Sequence, residues 1–423
     1  MSYSLYLPSS YSLAKRWPIV YLFDPVGRGQ LPVGLYKDIA EKYGFVLAGS
    51  NNSKNFSSDQ SRSLNAIWQD THLRLALDAR RTYTSGFSGG ARVAGLMAMS
   101  CPQCQIAGVI ANGAGYPPNR PQAGDKLLYY FAVGSQDFNW PEVMNVRRER
   151  ENAGLPYRVH VFAGPHQWAP TGVMEDAVEW LQLKAMQAGD LPRDGAFIDQ
   201  RWREIQAEAD DADKKADAIA QLNALRTLTT DFAGMKDVTE SGKKLALLKN
   251  SAALKSALKN EQEQMAEQST LEADVLPKLD SYISGKADDS VATASSIQQA
   301  MQRLDADAER SKNETTRLIS QRAADGVWVA AIERGEEELE SHHYERAEAC
   351  FQLMSQVRNE IWPVLMLADT HAAEGKPKPA IKDLREAVRR GLKNADVIES
   401  DSRLHVLKDN PDFKKLVEGL NHK

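Results

Sequence analysis

The chain has 423 residues, 42% of them hydrophobic and 26% charged, which is enough for two or three domains with cores of their own. A formal net charge of -5 leaves no cationic footprint for nucleic acid. No run approaches 18 apolar residues, so no membrane-spanning helix is expected.

In chain order, strand and helix patterns alternate up to residue 188. Strands are expected near 3–7, 18–23, 45–50, 82–86, 107–112, 127–133 and 159–162. Helices are expected near 33–43, 64–79, 89–100, 141–153 and 171–187. Continuous apolar strands separated by helices predict a mostly parallel sheet covered on both faces. No secretory signal precedes 3–7, and the start is abrupt, as though a first strand were missing. The expectation is therefore an absent N-terminal segment carrying an export signal. Localisation stays open, periplasmic or exported with such a segment and cytoplasmic without it.

The stretch Gly189-Asp190-Leu191-Pro192-Arg193-Asp194-Gly195 reads as a breaker-rich linker. Beyond it the strand signal all but disappears. Residues 196–325 form a helical region of long charged helices, with a Ser, Gly, Asp and Ala cluster at 285–295 whose composition is compatible with disorder. In 326–423 a pattern recurs: Ala347, Phe351 and Met354 return 33 residues later as Ala380, Leu384 and Ala387, and Trp328 and Trp362 are 34 apart. This spacing resembles tetratricopeptide repeats, with 404–420 as a terminal cap and a plain helical bundle as the alternative. The resemblance implies a protein or peptide partner for this region.

The chemistry sits in the first part of the chain. Gly86-Phe87-Ser88-Gly89-Gly90 is a G-x-S-x-G sequence between a strand and an apolar helix start. Chance supplies such a match on the order of once per ten glycine-bearing chains of this size, so its neighbours decide. A serine on a sharp strand-to-helix turn is exposed and aimed, which makes Ser88 the candidate nucleophile. It needs a base, and three histidines precede residue 188. His72 lies in a helical pattern and reads as surface; His160 alternates within a strand and reads as a packed or edge residue. His166 follows the last strand in Gly164-Pro165-His166-Gln167-Trp168, at the carboxyl edge where catalytic groups gather, and is the candidate base. The orienting acid is Asp137, just beyond a strand in Gly134-Ser135-Gln136-Asp137-Phe138. Asp125 lies at the wrong edge and Glu142 falls in the next helix.

Backbone N–H groups are required for the oxyanion. Gly89, after the nucleophile, is one. The loop Asp24-Pro25-Val26-Gly27-Arg28-Gly29 offers Val26 as the other, with Gly27 behind it, because proline has no N–H. Arg28 reads as a solvated loop residue. Phe87, Phe138, Trp140 and Trp168 lie beside these residues in sequence and either line an acyl pocket or pack the core. Cys101-Pro102-Gln103-Cys104 reads as a local disulfide or two inert thiols. Zinc there would need two more ligands, so no metal or cofactor is expected.

With these motifs in the order Ser88, Asp137, His166, residues 1–188 resemble the α/β-hydrolase superfamily, nearest the compact esterases related to polyhydroxyalkanoate depolymerases and feruloyl esterases. The segments Tyr6-Leu7-Pro8, Gly86–Gly90, Gly134–Phe138 and Gly164–Trp168 carry the likeness. Where many such relatives have His-Gly at the oxyanion loop, this chain has Asp24-Pro25. The resemblance implies an α/β-hydrolase fold followed by an all-α domain. It also implies a serine esterase acting on a small-molecule or polymeric ester through an acyl-enzyme. Only 115–121 reads as an insert over the site, which should be fairly open. A peptidase or amidase with the same triad, or a vestigial hydrolase kept as an interaction module, are the competing readings.

Overall fold

Seven strands form, several of them from apolar and aromatic runs such as Trp17–Phe23 and Leu128–Gly134. In the computed structural model, which describes residues 1–55, 57, 59–118 and 127–421, they are β1 (Tyr3–Tyr6), β2 (Trp17–Phe23), β3 (Val46–Ser50), β4 (Leu77–Phe87), β5 (Ile106–Asn112), β6 (Leu128–Gly134) and β7 (Tyr157–Phe162). They build one sheet in the order β1-β3-β2-β4-β5-β6-β7. Every pairing is parallel except that of β1 with β3. All of β2 and β3 is buried, as a sheet covered on both faces requires.

Helices α1 (Gln30–Tyr43), α2 (Gln60–Arg74), α3 (Gly89–Ser100), α4 (Trp140–Ala153) and α5 (Thr171–Ala188) supply the cover. Alternate strand residues divide between two cores. Ile19, Tyr21, Val109 and Phe131 meet α2, α3 and α4, whereas Val20, Leu22, Ile110 and Tyr130 meet α1 and α5. One boundary departs from expectation. Helix α2 ends at Arg74 and β4 begins at Leu77, where a helix was expected to 79 and a strand only from 82. Leu77 is buried and pairs with Trp17, and a register irregularity between Trp17 and Ile19 absorbs the charged stretch that followed, in which Arg81 Nε donates to Asp78 at 2.8 Å.

The change of composition at 189–195 does not divide the molecule. The two compact units are Met1–Met265 and Ala266–Lys423. Helices α6 (Gly195–Lys214), α7 (Ala218–Asp231) and α8 (Thr239–Asn250) belong to the first. Leu183 and Met186 of α5 share a core with Ile205, Leu225 and Phe232. Trp180 Nε1 donates to Asp231 at 2.8 Å and Arg201 Nη2 to Asp176 at 2.5 Å. Arg226 of α7 donates from Nη1 to the carbonyl of Tyr157 at 2.8 Å and lays its guanidinium 3.5 Å over that ring, at the outer strand β7. A buried pair, Arg147 with Glu261, ties α4 to the start of α9 (Ala252–Ile283).

The second unit is helical: α10 (Ser290–Arg310), α11 (Glu314–Glu340), α12 (Tyr344–Val357), α13 (Trp362–Ala373), α14 (Pro377–Arg389), α15 (Asp396–Glu399) and α16 (Pro411–Asn421) follow the end of α9. Residues 290–295, whose composition allowed disorder, open α10 because Asp289 caps it, accepting from Ala292 N–H at 2.9 Å. The recurring positions Ala347, Phe351 and Met354 of α12, and Ala380, Leu384 and Ala387 of α14, are all fully buried. Leu404, Leu407, Phe413, Val417 and Leu420 join the core of α13 and α14. Among the described residues no helix is long and apolar enough to cross a membrane.

Candidate active site

The turn between β4 and α3 holds Ser88 at φ +53° and ψ −123°, a conformation L residues rarely adopt. The motif's glycines are steric necessities. A Cβ on Gly86 would stand 2.1 Å from the carbonyl oxygen of Gly90, and one on Gly90 would stand 2.0 Å from that of Phe23. The helix therefore starts directly against the ends of β4 and β2. Ser88 N–H donates to the carbonyl of Asn112 at 2.8 Å, fastening the turn to the end of β5. Gly89 opens α3, so its N–H has no acceptor within the helix and points with the positive end of the helix dipole.

Asp137 and His166 meet across the ends of β6 and β7. His166 Nδ1 lies 2.8 Å from Asp137 Oδ1, which also accepts Asn139 N–H at 2.8 Å. Asp137 is fully buried, and its Oδ2 has no hydrogen-bond partner among the described residues. The His166 loop is hooked to the end of β6 by Ser135 N–H on Phe162 O, 2.8 Å, and Gln136 N–H on Gly164 O, 2.9 Å. Gly113, directly after β5, has φ +61°, and a Cβ there would be 2.8 Å from Asp137 Oδ2 and 3.1 Å from the His166 ring. Its carbonyl accepts Asn139 Nδ2 at 2.8 Å. Residues 112 and 113 thus touch the serine turn on one side and the Asp–His pair on the other, which brings Ser88, Asp137 and His166 to one sheet edge.

The aromatic candidates separate. Phe87 and Phe138 flank the His166 ring, with centroids 4.5 and 4.3 Å away. Trp168 is buried behind them, 5.8 Å from Phe87 and edge-on to Tyr36, with Nε1 donating to Asp24 Oδ2 at 3.1 Å. Trp140 is buried in the core under α4.

The loop after β2, expected to supply an oxyanion donor, differs from expectation. Asp24 is fully buried, and its Oδ1 accepts Val26 N–H at 3.1 Å, Arg28 N–H at 3.3 Å and Arg28 Nε at 3.0 Å. Val26, expected to be the second oxyanion donor, spends its N–H on that carboxylate. Gly27, the reserve choice, donates to Asp24 O at 3.0 Å. The cause is chemical: an aspartate in this position folds its short carboxylate back onto the following N–H groups. Arg28 is exposed, as expected of a solvated loop residue, and also rests its Nε and Nη2 on Asp24.

His72 is half-buried rather than on the surface, its Nδ1 2.9 Å from Trp68 O and its ring 4.4 Å from that of Trp68; burial lowers its pKa, with the Trp68 carbonyl opposing. His160 sits on outer strand β7, with Nδ1 3.2 Å from Tyr130 OH. Glu142, in the first turn of α4, is held by Arg92 Nη2 at 2.7 Å; burial raises its pKa, Arg92 opposes, and the charge of Asp137 adds to the rise. Cys101 and Cys104 form a disulfide. Among the described residues no group of three His, Cys, Asp or Glu is placed to hold a metal ion. Residues 119–121 of the expected insert, and Asp125, lie outside the described residues. Sequence reasoning passed over Asn112, Gly113 and Asn139; the Asn-Gly pair closing an apolar strand was the available signal.

No protein-family model matches the chain, and no curated protein matches it. Three similar solved structures are a fluorophosphonate-binding serine hydrolase of Staphylococcus aureus, an S-formylglutathione hydrolase of Agrobacterium tumefaciens and a carboxylesterase of Bacillus cereus. The first is 11% identical, covering 42% of this chain and 91% of that one, with a TM-score of 0.35. The second is 12% identical, covering 42% and 88%, at 0.35; the third 17%, covering 43% and 93%, at 0.34. Similarity this low assigns no activity, and the geometry of the site has to carry the function.

Proposed function

We propose that the first unit is a serine hydrolase of carboxylic esters, with Ser88 as nucleophile, His166 as base and Asp137 as its orienting acid. The observation that supports it best is the 2.8 Å contact of His166 Nδ1 with a fully buried Asp137, joined through 112–113 to a serine in a strained turn. Asp137 and Asn139 leave only one sensible arrangement, with the proton on Nδ1 and the Nε2 lone pair free. Ser88 Oγ attacks the ester carbonyl while its proton passes to Nε2, and the oxyanion draws on Gly89 N–H. Collapse releases the alcohol with the proton from Nε2. Water, deprotonated by the same nitrogen, then cleaves the acyl-enzyme. Phe87 and Phe138 give the acyl group an apolar flank.

A fluorophosphonate probe should label Ser88 in wild type and not in Ser88→Ala. His166→Ala should lose nearly all turnover of p-nitrophenyl acetate, roughly a thousandfold or more. Folded protein that resists labelling at Ser88 would exclude the proposal. For the second unit we infer helical repeats that bind a peptide or protein partner, from the 33-residue recurrence of buried positions on α12 and α14.

A further inference from the structure

We propose that the side-chain carboxamide of Asn55 is the second oxyanion donor, working beside Gly89 N–H. This rests on Ser88 being the nucleophile. The backbone donors of the loop after β2 are spent: Val26 and Arg28 N–H on the Asp24 carboxylate, and Gly27 N–H on its carbonyl. A tetrahedral oxyanion held by one N–H alone would forfeit a large part of the usual stabilisation.

Asn55 lies beside both Gly89 and the loop after β2. Its own N–H donates to Pro25 O at 2.7 Å, which pins it against that same loop. Its carboxamide then reaches over the serine turn. A Cβ on Gly89 would lie 2.0 Å from Asn55 Oδ1 and 2.6 Å from Nδ2, so the amide packs on the face of the residue that carries the first donor. This contact also explains why position 89 is glycine. Among the described residues the carboxamide makes no hydrogen bond, and it is half-buried. A carboxamide held by packing, with its N–H groups unspent beside Gly89, is a pre-positioned neutral donor.

The test uses the full chain with p-nitrophenyl acetate, comparing wild type, Ser88→Ala, Asn55→Ala and the isosteric Asn55→Asp, which accepts but cannot donate. With Ser88→Ala inactive, both Asn55 variants should lose about 100- to 1000-fold in kcat with little change in KM. Both should keep the wild-type unfolding midpoint and bind a phenylboronic acid transition-state analogue more weakly by a similar factor. If Asn55→Asp keeps wild-type kcat, Asn55 only fills space and the assignment is overturned. Wild-type rates in both Asn55 variants, beside an inactive Ser88→Ala, overturn Asn55 alone. Turnover surviving in Ser88→Ala overturns the nucleophile and Asn55 with it.

Discussion

Replacing Asp137 by Asn tests how the acid works, because the structure constrains where the new amide can go. Oδ1 of Asp137 accepts two donors, His166 Nδ1 and Asn139 N–H, both at 2.8 Å. An amide NH2 in that place would face Asn139 N–H donor to donor, so the amide oxygen must stay there. The NH2 then occupies the unpartnered Oδ2 position. His166 keeps its orientation and its proton on Nδ1, and only the negative charge is lost. A unit charge about 4 Å from the imidazolium at an effective dielectric near 20 contributes roughly 4 kcal/mol, or about a thousandfold in rate. Steady-state kinetics on p-nitrophenyl acetate should show kcat reduced by about that factor with KM little changed. Asp137→Ala, which also frees the ring to turn, should be slower still. A loss below about tenfold in Asp137→Asn would refute the electrostatic role.

Gly113→Ala places a methyl 2.8 Å from Asp137 Oδ2 at φ +61°; kcat should fall at least about tenfold and the unfolding midpoint by roughly 2–4 °C, and unchanged kinetics would mean the Asp–His pair tolerates displacement. Asp176 is largely buried; desolvation opposes its ionisation, but Arg158, then His160 and Arg201, hold its carboxyl well below the usual range. A depressed carboxyl contributes stability fully above about pH 4 and loses it as pH falls through the folded value, so Asp176→Asn should cost about 3–5 kcal/mol at pH 7 and flatten the acid limb of stability. Parallel acid limbs for wild type and variant would contradict that linkage. Glu261→Ala strands the buried Arg147 guanidinium and should cost about 3–5 kcal/mol in denaturant unfolding, most of it recovered by joining Arg147→Met to Glu261→Leu. A double variant no better than the single one would show that the pair's charge is not the issue.

What the sequence made legible was set by local rules. Strands such as β2 and β6 declared themselves by unbroken apolar runs, and the serine turn by glycines that no Cβ could replace at 86 and 90. Asp137 and His166 were readable because each follows directly on a strand end. The conformation of the loop after β2 was not, because it turns on Asp24 meeting Trp168, 144 residues away, and on Asn55 lying against Gly89. The first half of β4 was hidden because Asp78, Arg80 and Arg81 break the apolar pattern that marks a buried strand. The extent of the first unit escaped for a similar reason: Arg147 with Glu261 and Trp180 with Asp231 join segments whose compositions differ.

Arg226 carries a consequence for handling this protein. It occupies the Tyr157 carbonyl and roofs that ring at the sheet's outer strand, with α7 beside it. An outer strand with idle N–H and C=O groups is a template on which another chain can pair. A fragment cut at 188, where composition invites a cut, would bare this rim together with Leu183 and Met186, which are buried in the intact first unit. Such a fragment would keep every residue of the candidate triad and still be prone to aggregate, whereas one ending at 265 carries its own shield.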